Sequence, residues 1–273
     1  MTTFFSRGVP VLMYHEIADP AETRSRLSVS PAAFAGQLAC LEDEGFTAMT
    51  AEGLSEILAG GVKELPERTV VLTFDDGYEN FHSRAMPALA QHGFTATLFV
   101  TSGWLQDAGV ESSGKRPGRM LNLRQLQEAT DAGFEIGAHT RRHPQLDQLS
   151  ERVIWEELTT SKAWLEDKLG ASVPGLAYPF GYSNAAVRRL ARETGYKYGF
   201  AVRNKTVSTT SGQFSLERLT IRRATTLDAF RQLIRGCDTR TLRQDRALTK
   251  GWALVRHSRA ALNTAARGIR GDS

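Results

Sequence analysis

Two short segments carry the residues best suited to chemistry. Asp75 and Asp76 stand side by side at the end of the apolar run Val70–Phe74, with Gly77 and Tyr78 behind them. His139 and His143 lie four residues apart, just after the apolar run Phe134–Ala138. Adjacent carboxylates repel each other, and the repulsion raises the pKa of one of them unless a cation intervenes. One Asp with two His is a three-ligand set for a divalent metal. Three protein ligands leave a coordination position open for water, as a catalytic site needs and a structural zinc site lacks. The second Asp is then free to act as a base. Each segment alone has a plainer account: an Asp-Gly turn at a strand end, and surface histidines beside Arg141 and Arg142. Together, both at strand ends, they favour the metal. A helical turn would put both rings on one face, and Pro144 would keep that turn short.

The elements that must hold these residues alternate. Strands are expected at Val9–Tyr14, Phe46–Met49, Val70–Phe74, Thr95–Val100, Phe134–Ala138, Val173–Tyr178, Tyr196–Val202 and Ser215–Ile221. Helices are expected at Pro31–Glu44, Thr50–Leu58, Glu79–His92, Asn122–Ala132, Ser150–Leu169, Asn184–Thr194 and Thr226–Ile234. Ser30 is positioned to cap the first helix and Gly45 to stop it. Strand–helix alternation implies a parallel sheet with helices outside. This many units suit an α/β fold closed into a distorted (β/α) barrel of about seven strands. Chemistry in barrels sits at the C-terminal ends of strands. Asp75, Asp76, His139 and the segment Pro179-Phe180-Gly181 all fall there. The Gly- and Ser-rich stretch Ser102–Arg119 reads as a long loop.

Composition bounds the alternatives. The chain has 273 residues, 41% hydrophobic and 23% charged, which is ordinary for a globular protein with one large core. Cys40 and Cys237 have no metal-binding or disulfide spacing. The net charge of +4 is uneven: Arg235–Ser273 carries +6, which leaves −2 for Met1–Ile234. The basic character belongs to the tail, which argues against nucleic acid as a partner. Residues 1–236 read as one domain and 237–273 as a basic tail. In that tail Leu248, Trp252, Val255, Leu262, Ala266 and Ile269 recur at near-helical spacing between arginines and lysines. Such a helix either packs on the barrel or makes peripheral contact with an anionic membrane. Met1–Tyr14 shows no apolar stretch of signal-peptide length, so the expected location is the cytoplasm or its membrane face.

Thr73-Phe74-Asp75-Asp76-Gly77-Tyr78, followed by His139-Thr140-Arg141-Arg142-His143-Pro144, closely resembles the NodB-type polysaccharide deacetylases, carbohydrate esterase family 4. Ala177-Tyr178-Pro179-Phe180-Gly181 looks like that family's third motif. Val9–Ile17 and the stretch from Leu27 to Leu38 resemble the branch that deacetylates poly-N-acetylglucosamine adhesins. The resemblance covers roughly Val9 to Ile234. It implies a NodB-type barrel and a hydrolase that removes N-acetyl groups from amino sugars of an exopolysaccharide or oligosaccharide. It assigns Asp75 as general base and Asp76, His139 and His143 as metal ligands. It also implies that the backbone N–H of Phe180 steadies the oxyanion. The metal expected is Zn²⁺, and N/O ligation also admits Co²⁺, Ni²⁺ or Fe²⁺.

The sequence departs from the family pattern at the general acid. After Tyr196 there is neither a Leu-x-His nor an Asp-rich motif; the one late histidine is His257. The adhesin branch resembles a circular permutation in which the first strand supplies the acid, and His15 fits that place. The usual Arg of the third motif is replaced by Ala177, so Arg218 or Arg222 is the candidate to orient Asp75. Trp104, in the long loop, is a candidate to contact a sugar ring, as are Tyr78 and Tyr182. Trp155 and Trp164, in a long helix, read as core. His82 and His92 read as facing solvent or neighbouring helices. Two other functions fit the same residues: the centre acting on another C–N bond, a formamide or cyclic ureide, and a catalytically silent glycan-binding protein.

Overall fold

The computed structural model describes residues 8–60, 66 and 68–237. The basic tail expected to form an amphipathic helix lies outside the described residues, apart from its first residue. Among the described residues no helix is long and apolar enough to cross a membrane.

The architecture is a parallel sheet curled into a distorted (β/α) barrel. Its strands are β1 (Val11–Tyr14), β4 (Thr47–Met49), β5 (Thr69–Phe74), β6 (Thr97–Val100), β7 (Glu135–Ala138), β8 (Gly175–Ala177), β9 (Tyr198–Phe200) and β10 (Leu219–Thr220). They run in the order β10-β1-β5-β6-β7-β8-β9, with β4 paired to the start of β5. A small two-stranded sheet, β2 (Glu16–Ile17) with β3 (Ser28–Val29), was not anticipated from the sequence. The helices are α1 (Pro31–Asp43), α2 (Ala51–Leu58), α3 (Met86–Gln91), α4 (Leu123–Asp131), α5 (Glu151–Leu169), α6 (Ala185–Glu193) and α7 (Leu227–Ile234).

Local chemistry sets most of these boundaries. Ser30, Thr50, Asn122, Asn184 and Thr226 each accept a hydrogen bond from a first-turn backbone N–H, satisfying a donor the helix itself cannot. The helix expected at Glu79–His92 opens instead with a π-turn, Phe81–Ala85, before α3. Pro87 explains the break, because it has no N–H to donate back along a regular helix.

Strand alternation sorts side chains into two layers. On β5, Val70, Leu72 and Phe74 face the larger core under the helices. Val71 joins Val9, Val11, Phe99, Ala177, Tyr198, Phe200 and Leu216 in the inner core, which α2 also meets through Ala51 and Leu54. The last strand is shorter than the expected Ser215–Ile221. Leu216 bridges Phe200 at the end of β9, whereas Leu219 and Thr220 pair with β1. The segment thus changes partners across the barrel's seam, and Arg218 sits between the two contacts.

Candidate active site

Register brings the first group together. Tyr14 pairs with Phe74, and the N–H of Asp75 donates to the carbonyl of Tyr14 at 3.0 Å. His15 therefore lies one step beyond the rung, alongside Asp75. Asp75 continues the inward series of Val71 and Thr73. There it meets Arg218, which is fully buried. Nη1 and Nη2 of Arg218 donate to the two carboxylate oxygens of Asp75 at 2.6 and 2.8 Å, and Nη1 also reaches Thr73 Oγ1 at 3.3 Å. The guanidinium carbon lies 5.7 Å from the ring centre of Phe99 and 5.8 Å from that of Phe200. Burial by itself would raise the pKa of Asp75. Arg218, His139 and His15 outweigh it and hold the carboxylate at about 2. Of the two arginines considered for this task, the structure puts Arg218 on Asp75.

Simple alternation would turn Asp76 outward. It does not, because Asp76 takes a φ of +75° and Gly77 follows at +86°. That left-handed pair bends the chain and brings a second carboxylate to the barrel mouth. Asp76 Oδ1 is buried with no hydrogen-bond partner among the described residues. It lies 3.5 Å from His139 Nε2 and 3.4 Å from His143 Nε2. Burial, then the neighbouring charge of Asp75, pushes the Asp76 pKa up to about 8.

His139 follows β7, and its Nδ1 contacts the carbonyl of Ala177 at 2.7 Å. A carbonyl only accepts, so Nδ1 carries the proton and Nε2 presents its lone pair to Asp76. His143 does not reach the site by a helical turn. Thr140 and His143 both adopt left-handed backbone, φ +64° and +60°, and the N–H of His143 donates to Thr140 Oγ1 at 3.0 Å. The His143 ring lies between Trp104 and Phe180, with ring centres 4.9 and 4.7 Å away. Burial lowers both histidine pKa values, that of His143 to about 3 with His139 adding to the effect. Both are neutral, the form that ligates metals.

The donor set fits a divalent cation. Ligand atoms about 2.0–2.2 Å from a tetrahedral ion stand roughly 3.3–3.6 Å apart, and the two Asp76–histidine separations match. Among the described residues, Asp76, His139 and His143 are the cluster that could hold a metal, with ligand atoms within 4.8 Å of one another.

The remaining predicted residues are distributed around this centre. His15 is partly buried, and its Nδ1 has no hydrogen-bond partner among the described residues. Burial, opposed by Asp75 and reinforced by Arg218 and His139, lowers its pKa to about 4. Phe180 has a φ of +60° in the short turn after β8, and its ring is half-exposed, stacked on Tyr182 at 5.8 Å. Trp104 and Tyr78 are each only 7% exposed and pack with Met120, so little of either ring is open to a sugar. Burial, then Asp76, raises the pKa of the Tyr78 hydroxyl. His82 contacts Glu128 and His92 contacts Glu42, away from the centre. Trp164 packs against the core as expected. Trp155 does not: it is 42% exposed, because the inward face of α5 is made by Ile154, Leu158, Ser161 and Leu165.

Sequence reasoning missed Glu157, Thr140 and the carbonyl of Ala177, which bond to His139, to His143 or to the residues between them. For Glu157 a signal existed: it is an acidic residue within the apolar stripe of α5.

A family model described as polysaccharide deacetylase matches residues 62–199. YxkH of Bacillus subtilis is 28% identical over 215 residues, covering 78% of this chain and 71% of YxkH. The poly-beta-1,6-N-acetyl-D-glucosamine N-deacetylase of Staphylococcus aureus is 28% identical over 221 residues, 77% of this chain and 72% of that protein. Among solved structures, the Streptococcus pyogenes deacetylase PplD, in complex with acetate, superposes with a TM-score of 0.74 at 31% identity, covering 83% of this chain and 98% of PplD.

Proposed function

The chain belongs to the polysaccharide deacetylase family, and from that premise we propose that it is a metal-dependent hydrolase removing N-acetyl groups from amino sugars of a poly- or oligosaccharide. The observation that carries this reading is Asp76 Oδ1, buried without a hydrogen-bond partner among the described residues and held 3.4–3.5 Å from two neutral imidazole nitrogens beside an ionised second carboxylate. A silent glycan binder has no use for that second carboxylate.

In this reading Asp76, His139 and His143 hold the metal. When bound, a divalent cation supplies Lewis acidity, making a water easier to deprotonate and the amide carbonyl easier to attack. Zn²⁺ suits the ligand set. Asp75 takes the proton from the attacking water. With its pKa at about 2 it is a weak base, so the reading requires an acidified water. Arg218 fixes the orientation of Asp75 through two parallel hydrogen bonds. The left-handed turn at Phe180 presents its N–H as donor to the developing oxyanion. The C–N bond then breaks, acetate is freed, and the amine nitrogen needs a proton because an amide anion cannot leave. His15, next to Asp75, is the group that delivers it. At rest it is neutral, so the proton it gives to the amine is the one Asp75 has taken from the water and passed on.

The test is acetate release from N-acetylglucosamine oligomers. A β-1,6-linked polymer is tried first because of the Staphylococcus aureus relative's substrate. Metal-stripped protein should be inactive and recover with Zn²⁺ or Co²⁺. Asp75→Asn should lose about 10²–10⁴-fold in kcat while still binding metal. His15→Ala should lower kcat with metal affinity unchanged. Release that is indifferent to metal, or that survives Asp75→Asn, overturns the proposal.

A further inference from the structure

We propose that Glu157, a residue of α5, is a positioning residue for the metal site. Its buried carboxylate holds the peptides between the two histidines so that His143 stays opposite Asp76 and His139. The inference rests on the metal-dependent reading above.

Glu157 is fully buried. A carboxylate taken out of water is costly unless its oxygens are satisfied. Among the described residues, the donors found for it belong to two consecutive residues of the ligand loop. Oε2 accepts the backbone N–H of Arg141 at 3.0 Å and that of Arg142 at 2.9 Å, and Oε1 accepts Nε–H of Arg142. The opposite side of the loop is held as well: the N–H of Ser102 donates to the carbonyl of Thr140 at 3.2 Å, and that of Gly103 to the carbonyl of Arg141 at 3.0 Å. The ligand loop is thus clamped between the turn after β6 and helix α5.

The loop needs clamping because its backbone is strained. Thr140 and His143 both occupy the left-handed region, which side chains with a Cβ rarely adopt and keep only where the surroundings enforce it. Thr140 lies one residue before the clamped peptides and His143 one residue after. If the peptides at Arg141 and Arg142 relax, His143 is the ligand that moves. His139 is secured separately, by β7 and by its bond to the Ala177 carbonyl. The role also calls for a carboxylate. The donors converge on both oxygens, and a glutamine in the same place would turn its NH₂ towards one of them.

The test compares Glu157→Gln and Arg142→Ala with the wild type for zinc affinity, by competition with a chromophoric chelator, and for the visible spectrum of the Co²⁺ form. Thermal unfolding in chelator is followed alongside. Glu157→Gln should raise the zinc Kd by about 10–100-fold and alter the Co²⁺ bands, since a displaced His143 changes the coordination. Arg142→Ala keeps both backbone N–H donors and loses a side chain that is 44% exposed. It should fold normally and raise the Kd by a smaller factor, and it carries the test if Glu157→Gln fails to fold. Lower thermal stability with unchanged zinc Kd and Co²⁺ spectrum in both variants overturns the inference and leaves Glu157 merely structural. A wild-type protein that takes up no zinc is a different result: it removes the metal-dependent reading, and this inference with it.

Discussion

Asp75 and Asp76 are chemically identical neighbours with opposite fates. Arg218 keeps Asp75 ionised, whereas burial and the charge of Asp75 drive Asp76 towards protonation in the metal-free protein, with pKa values of about 2 and about 8. On the metal-dependent reading proposed above, a metal must displace a proton from Asp76 whenever the pH is below about 8. Zinc affinity should rise about tenfold per pH unit between pH 6 and pH 8, then level off. One proton should be released per metal at pH 7. The histidines add no competition there, because His143 titrates at about 3 and His139 is also lowered. Calorimetry in two buffers of different ionisation enthalpy counts the proton. A flat affinity across that range contradicts the assignment of Asp76 as the titrating ligand.

At the scale of elements, strands supply direction and irregular turns supply the exceptions. Alternation alone aims Asp75 and His139 inward. The left-handed residues Asp76, Thr140, His143 and Phe180 then add groups that alternation would not deliver. The barrel interior must meanwhile be filled, and Gly137 and Gly175 make room there, as Gly199 does on the helix side of the sheet. A Cβ on Gly137 would come within 2.4 Å of the Phe99 ring, one on Gly175 within 2.2 Å of the Tyr198 hydroxyl, and one on Gly199 within 2.5 Å of the Tyr178 hydroxyl. Gly175→Ala forces the Tyr198 ring away from its bond to Glu135. Overpacking of this kind costs about 1–3 kcal/mol, so urea denaturation should show a lower midpoint. An unchanged midpoint would mean that Tyr198 has somewhere else to go.

At the scale of the whole molecule, the site draws on residues far apart in the sequence. His15 follows β1 and Arg218 precedes β10, and neither lies within the residues 62–199 that match the family model. The Asp75–Arg218 pair links positions 143 residues apart across the seam of the barrel. Removing one partner of a buried pair strands the other charge, at a cost of about 3–5 kcal/mol. That is a large part of a typical net stability of about 5–15 kcal/mol. Arg218→Met should therefore lower the unfolding free energy by that amount at neutral pH. The pH dependence has a definite sign. Asp75 has a depressed pKa in the folded protein, so its contribution is present above the unfolded value of about 3.9. It is lost as the pH falls through about 2. The gap between wild type and Arg218→Met should shrink from pH 4 to pH 2. A constant gap would show that Arg218 acts through packing on Phe99 and Phe200 and not through its charge.

The sequence by itself determined the strand–helix order of the barrel, the Ser30 cap, and the placement of Asp75, Asp76 and His139 at strand ends. Each of these follows from a local pattern of period two, a cap within one turn, or neighbouring residue types. It also singled out His143, though by the wrong geometry, because nothing local announces two non-glycine residues in left-handed backbone. Only the tertiary structure decided that Arg218 rather than Arg222 meets Asp75, that the Ala177 carbonyl sets the proton on His139, and that Glu157 grips the ligand loop. It also decided that Trp104 and Tyr78 are nearly covered and that Trp155 is exposed. Those outcomes depend on strand register, on where the barrel closes and on which helix face turns inward. They join residues tens to more than a hundred positions apart, and such contacts leave no mark on the local sequence.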